Sequence, residues 1–165
     1  MKEIPLTQGK VALVDDADYD NVAKYQWYAK SSYHQWYAVR HGYTTEGKRP
    51  CFLMHRAIME ACRRQEIDHV NGNGLDNRRC NLRFCTRTEN QRNRWSTSGS
   101  SQYKGVGWHA QVCKWQAQIQ IDGKVRYLGV FLNEEEAACA YDVAAHQYFG
   151  EFARCNFPDA RGVLK

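Results

Sequence analysis

Apolar and polar positions alternate in short bursts along the first third of the chain. The strings KVALV (10–14), QWYAK (26–30), WYAVR (36–40) and PCFLM (50–54) are brief, rich in β-branched and aromatic residues, and separated by polar connections. That pattern predicts four strands. DADYDNVAKY (16–25) lies between the first two and reads as a short helix opened by acids. In MHRAIMEAC (54–62), Met54 or His55, Ile58, Met59 and Cys62 recur at helical spacing, which predicts a helix after the fourth strand. This part of the chain is expected to form a small mixed sheet with two helices.

Residues 67–82, IDHVNGNGLDNRRCNL, hold two Asn-Gly pairs, a signal for a hairpin between two strands. In the next stretch Thr86 and Glu89 stand in the T-x-x-E order of a capping box, so a helix is expected from about Arg87. The predicted unit is strand, turn, strand, helix. STSGSSQ (96–102) then breaks the pattern and reads as a linker. Beyond it, YKGVGW (103–108), KWQAQIQI (114–121) and KVRYLGVF (124–131) predict three strands, the last two joined by a DG hairpin turn. NEEEAACAYDVAAHQYFG (133–150) predicts a long helix capped by Asn133 and Glu136. Its apolar stripe of Ala137, Ala140, Tyr141, Ala144 and Tyr148 would lie on the sheet.

Charge changes this picture more than composition does. Of the net +5, most falls in residues 61–100, where eight arginines face four carboxylates. Arginine forks suit phosphate and keep their charge. Seven cysteines without a C-x-x-C pair do not follow zinc-ribbon spacing, and reduced thiols are expected instead. No apolar run reaches the length of a membrane span, and the opening MKEIPLTQGK lacks the apolar core of a secretory signal. A soluble intracellular chain is therefore expected.

Asp68 beside His69, with amides and arginines close by, is a residue set suited to phosphodiester cleavage. An imidazole titrating near neutrality can deprotonate water, and carboxylate oxygens can hold a hard divalent ion. Strand alternation sends the two to opposite faces, so a turn or bulge would have to re-aim them into one cleft. IDHVNGNGLDNRRCNLRFCTRTENQRNR resembles the HNH homing endonucleases over about residues 50–95. By that resemblance His69 is the general base, Asp68 and Asn90 are metal ligands, and Asn81 braces the hairpin that orients His69. His55 stands where related enzymes also carry a histidine. Arg78, Arg79, Arg83, Arg87, Arg92 and Arg94 would meet DNA.

Residues 102–158 resemble the plant ethylene-response-factor (Apetala-two type) DNA-binding domain, in which a three-stranded sheet enters the major groove and a helix supports it from behind. Alternation puts Trp115, Ala117 and Ile119 toward the helix and Gln116, Gln118 and Gln120 outward, where glutamine can pair with adenine edges. The resemblance adds Lys104, Trp108 and Tyr127 to the expected DNA contacts. Positions at which the family places guanine-reading arginines hold Gly107, Gln120 and Val125 here, and Arg126 falls one place off, in a slot that alternation points inward.

The expected fold class is α+β: an HNH ββα-metal nuclease domain (1–95) containing the small mixed sheet, a linker (96–102), and a three-stranded antiparallel sheet packed on one long helix (103–160). The expected activity is nicking of double-stranded DNA by a monomeric HNH endonuclease with Mg²⁺ or Mn²⁺, not zinc. The expected setting is the cytoplasm of a bacterial or phage-infected cell, away from membranes. The alternative is a DNA-binding regulator in which the nuclease site is unused.

Overall fold

The computed structural model describes residues 1–32, 35–43, 47–95 and 99–158. The chain divides into two compact units, Met1–Asn90 and Gln91–Lys165.

In the first unit β1 (Lys2–Pro5) pairs antiparallel with β2 (Val11–Val14), and α1 (Asp16–Ala23) follows. β3 (Tyr28–Ser32), β4 (Gln35–His41) and β5 (Cys51–Leu53) form a second antiparallel sheet, and α2 (Met54–Ile58) leads away from it. β6 (Glu66–His69) and β7 (Leu82–Cys85) make a third, two-stranded ribbon, followed by α3 (Arg87–Asn93). The small mixed sheet expected over residues 10–54 is thus two separate antiparallel sheets, the β6–β7 ribbon stands apart as expected, and one parallel bridge links Leu13 and Asp76. β1 escaped the sequence pattern because KEIP buries only Ile4 and offers no alternation to read. Val14, Val22, Ala38, Met54, Ile67 and Leu82 close one core from all three sheets with α1 and α2, so burial rather than strand pairing joins these pieces.

The Asn-Gly pairs do not form a tight two-residue hairpin. A long loop joins β6 to β7 and ends in a 3-10 turn at Arg79–Asn81. Asn71 and Asn73 bend it through their side chains: Asn71 Oδ1 accepts from the Asn73 amide at 2.8 Å, and Asn73 Oδ1 accepts from the Leu75 amide at 3.1 Å. Asparagine competing locally for backbone N–H groups made an Asx-turn loop where the dipeptide alone signals a hairpin. The loop is tied to β2, with the Leu13 amide donating to the Leu75 carbonyl and the Asn77 amide to the Leu13 carbonyl.

In the second unit β8 (Val106–His109), β9 (Lys114–Ile121) and β10 (Lys124–Phe131) form an antiparallel sheet in the order β10-β9-β8. Asp122 and Gly123 both have positive φ, 49° and 78°, the requirement of the type I′ hairpin that DG signalled. α4 (Glu134–Phe149) is capped by Asn133, whose Oδ1 accepts from the Glu135 amide at 2.8 Å. Ala137, Ala138, Tyr141, Ala144, Ala145 and Phe149 are buried on this helix, and Ala117 and Ile119 are buried on β9. The alanines present little bulk, so the helix can lie close to the sheet. Tyr148, expected in the buried stripe, is instead 41% exposed and sits beneath Arg126.

Residues 96–98 of the expected linker, and 159–160 of the expected C-terminal domain, lie outside the described residues. Ser100 and Ser101 are not spacer but part of the C-terminal unit. Ser101 Oγ donates to Glu134 and accepts from the Tyr103 amide, and Ser100 Oγ accepts from the Trp108 amide.

Candidate functional site

The β6–β7 ladder stays in regular register, with Asp68 opposite Arg83 and His69 opposite Leu82. No bulge interrupts it to re-aim the two side chains, so Asp68 and His69 have different neighbours. Asp68 Oδ2 accepts from Arg83 Nε at 3.0 Å and from Nη2 at 2.7 Å, with both side chains largely out of water. His69 packs edge-on against His55, ring centres 4.8 Å apart, with Tyr37 at 6.0 Å from each. Burial holds both imidazoles below the usual histidine range. His55 is pushed down to about 3, with the neighbouring charges of His69 and Arg56 adding to the effect of burial. For His69 burial outweighs the opposing influence of Asn77, Asp68 and Asp76.

Asn81 clamps the loop. Its Oδ1 accepts from the Asn71 amide, its Nδ2 donates to the Asp76 carbonyl, and its carbonyl accepts from the Val70 amide. Asn90, in the first turns of α3, donates to Glu66 Oε2 at 3.2 Å. The capping box forms: the Thr86 amide donates to Glu89 Oε2 and the Glu89 amide to Thr86 Oγ1.

The Asp68 charge is matched by Arg83, and the Asn90 amide is turned to Glu66. No group of three or more His, Cys, Asp or Glu among the described residues could hold a metal ion.

The arginines expected on DNA are largely engaged within the fold. Arg78 forks onto Asp76, at 2.7 Å from each nitrogen. Arg79 forks onto the buried Asp18 at 2.8 Å and also donates to the Ile58 carbonyl. Arg92 lies over the Phe149 ring and 3.5 Å from Asp122. Arg87 and Arg94 are exposed. Lys104 is also diverted: its Nζ donates to the carbonyls of Arg92 and Arg94, and burial, with Arg154 nearby, pushes its ammonium down to about 8.

The sheet face turned away from α4 keeps its expected residues together. Gln118 pairs across the ladder with Tyr127, Gln120 with Val125, and Gln116 with both Gly107 and Val130. Tyr127 is 60% exposed, Val125 63%, and both Gln118 and Gln120 are exposed. Gln116 Nε2 donates to Gln118 Oε1, which pre-orders the row. Trp108 does not belong to this face. It sits opposite Trp115, on the helix side, with the rings 5.2 Å apart edge to face. Arg126 faces inward as alternation requires, opposite Ile119, and rests over the Tyr148 ring.

Sequence reasoning missed Asp142. It is buried on α4 and accepts from the amides of Asn156 and Phe157, while Asn156 bonds the backbone of Lys104 on both sides. A lone acid within an alanine-rich helical stripe was the available signal.

No protein-family model matches the chain. Curated relatives match about 40% of it. The AP2-like ethylene-responsive transcription factor PLT2 of Arabidopsis thaliana is 51% identical over 73 residues, covering 41% of this chain and 13% of its own. The AP2-like ethylene-responsive transcription factor CRL5 of Oryza sativa subsp. japonica is 49% identical over 65 residues (38% and 10%). The ethylene-responsive transcription factor WRI1 of Arabidopsis thaliana is 44% identical over 61 residues (36% and 14%). The chain thus spans about a tenth to a seventh of the length of these relatives.

These matches overturn the homing-endonuclease expectation and the assignment as a hydrolase, because the similar proteins are transcription factors and none is a nuclease. The same finding overturns the bacterial or phage cytoplasm, since these relatives are plant proteins.

Proposed function

We propose that the chain is a DNA-binding regulator whose C-terminal unit reads duplex DNA through the outer face of the β8–β10 sheet. The observation that carries this reading is the exposed row of Gln118 and Gln120, in register with Tyr127 and Val125 and turned away from the supporting helix. A β-sheet ribbon fits the major groove, and glutamine amides there can donate and accept at one adenine edge. The polarity of the unit agrees. Its strands and hairpin carry Lys114 and Lys124 against Asp122, while Arg126 lies on the helix side over Tyr148. The first turn of α4 and the turn after the helix carry Glu134, Glu135, Glu136 and Glu151, so a phosphate backbone is disfavoured at the helix ends more than at the strands.

In this reading the Asp68–His69 ribbon is structural. The chain acts as a monomer on an asymmetric site, because its two units are unlike. Selection of bound duplexes from a random library by the full chain, followed by anisotropy titration of the winners, tests the proposal. Gln118→Ala and Gln120→Ala should each cost about 1–3 kcal/mol at defined base pairs while leaving other positions unaffected. Uniform loss over all sequences, or no selection at all, would contradict it. Mg²⁺ or Mn²⁺ at Asp68 and Asn90 is tested separately by calorimetry: saturable uptake lost in Asp68→Asn would restore that ion to the account.

A further inference from the structure

We propose that the N-terminal unit holds a second, separate anion site, in which Arg40 takes a phosphate group. The Arg40 guanidinium on β4 is stacked between two rings, with its carbon 4.0 Å from the centre of Tyr25 and 4.4 Å from that of Phe52. Stacking fixes the plane of the fork and leaves its edge to bind. Arg40 has no carboxylate partner among the described residues, and its Nε is buried with no acceptor. A guanidinium N–H taken from water without an acceptor is costly, and an incoming oxyanion would supply one.

The group lines a cleft of about 300 Å³ between α1, β4 and α2. That space is at the small end of ligand sites and suits a phosphate rather than a whole cofactor. The remaining charges there are informative. Arg79 is already forked onto Asp18, so that pair is neutral. Lys24 and Arg40 then outnumber Glu60, leaving the cleft cationic, with the apolar edge of Trp27 as part of its wall. Arginine, lysine and a preset plane together favour a phosphate oxyanion.

The phosphate has two possible sources, free in solution or in a DNA backbone, and the test separates them. Full-length protein is titrated with inorganic phosphate by calorimetry, with chloride at matched ionic strength as control. In parallel, the salt dependence of duplex binding is measured. Arg40→Met preserves the stack but removes the charge, and Arg40→Lys keeps the charge but not the fork.

Saturable phosphate binding, weakened at least tenfold in Arg40→Met, supports a site for free phosphate. A slope of log affinity against log salt that is shallower by about one in Arg40→Met, without free-phosphate binding, supports a backbone contact. Identical behaviour of wild type and Arg40→Met in both assays, with similar melting curves, overturns the site. If the methionine variant does not fold, the lysine variant decides: weakened phosphate binding or weakened duplex affinity supports the fork, and no change in either overturns it. Should the chain bind no DNA, the sheet reading fails, while the phosphate titration still judges Arg40.

Discussion

Arg83 reaches Asp68 with two nitrogens across the β6–β7 ribbon, and only 13% and 6% of the two side chains is exposed. A pair taken this far out of water depends on both members, because either alone is a buried unmatched charge. Arg83→Met should therefore destabilise the N-terminal unit by about 3–5 kcal/mol, and Asp68→Leu added to it should recover much of that loss. Urea denaturation of wild type and the two variants checks this. A single change within experimental error of wild type would show that the pair is solvated. The imidazoles set a pH dependence. His55 and His69 have folded pKa values below the unfolded value near 6.5, so the unfolded chain binds more protons as the solution is acidified. Stability is complete above about pH 6.5 and for His55 is lost as pH falls toward 3, at up to about 1.4 kcal/mol per pH unit, with His69 acting in the same direction. Melting temperatures across this range should fall for wild type and fall less steeply for His55→Gln. A flat profile between pH 6.5 and 4 would mean that both rings carry charge in the folded protein.

At the scale of elements, α4 and β9 meet through small residues, and the close approach makes Gly105 indispensable. A Cβ there would lie 2.0 Å from the Tyr141 ring, and φ is +77°, where other residues are strained. Gly105→Ala should lose about 1–3 kcal/mol from backbone strain and a similar amount from overpacking. Thermal unfolding followed by far-UV circular dichroism measures this, and an unchanged midpoint would show that the loop shifts freely. The Thr86–Glu89 capping box, the Asn133 cap of α4, the DG hairpin and the glutamine alternation were legible because each rests on neighbours within a few residues. The β6–β7 connection was not, since its Asx turns and its tie to Leu13 compete with the local hairpin preference of Asn-Gly.

For the whole molecule, the net charge of +5 counts every carboxylate, and the excess of arginine over residues 61–100 suggested forks available to phosphate. The fold leaves the net charge as it is but ties up forks, with Arg79, Arg83 and Arg78 on Asp18, Asp68 and Asp76 and Lys104 on the Arg92 and Arg94 carbonyls. The strands and hairpin of the C-terminal unit retain Lys114 and Lys124, with Arg126 held over Tyr148 on the helix side. Duplex binding should then show a salt slope no steeper than about −2 from that sheet, since each neutralised phosphate contributes about −0.9. Anisotropy titrations at several salt concentrations report it. A slope near −8 would mean that the ion-paired arginines open on DNA.

Apart from β1, the chain by itself determined which segments become strands and helices, where α3 and α4 begin, and which side of β9 is apolar, because periodicity, caps and turn residues act over short distances. It also carried the resemblance to ethylene-response-factor domains, which the relatives support for about 40% of its length. Tertiary structure decided which charged groups remain available. Asp68 beside His69 reads as a catalytic pair in one dimension, but the partner that neutralises Asp68 lies fifteen residues away, and the ring against His69 lies fourteen residues away on α2. Trp108 and Gln116 are both polar-tipped strand residues in sequence, yet the ladder places one against Trp115 and leaves the other on the open face. The reason is physical: electrostatic pairing and burial depend on distance through space, which no local pattern encodes.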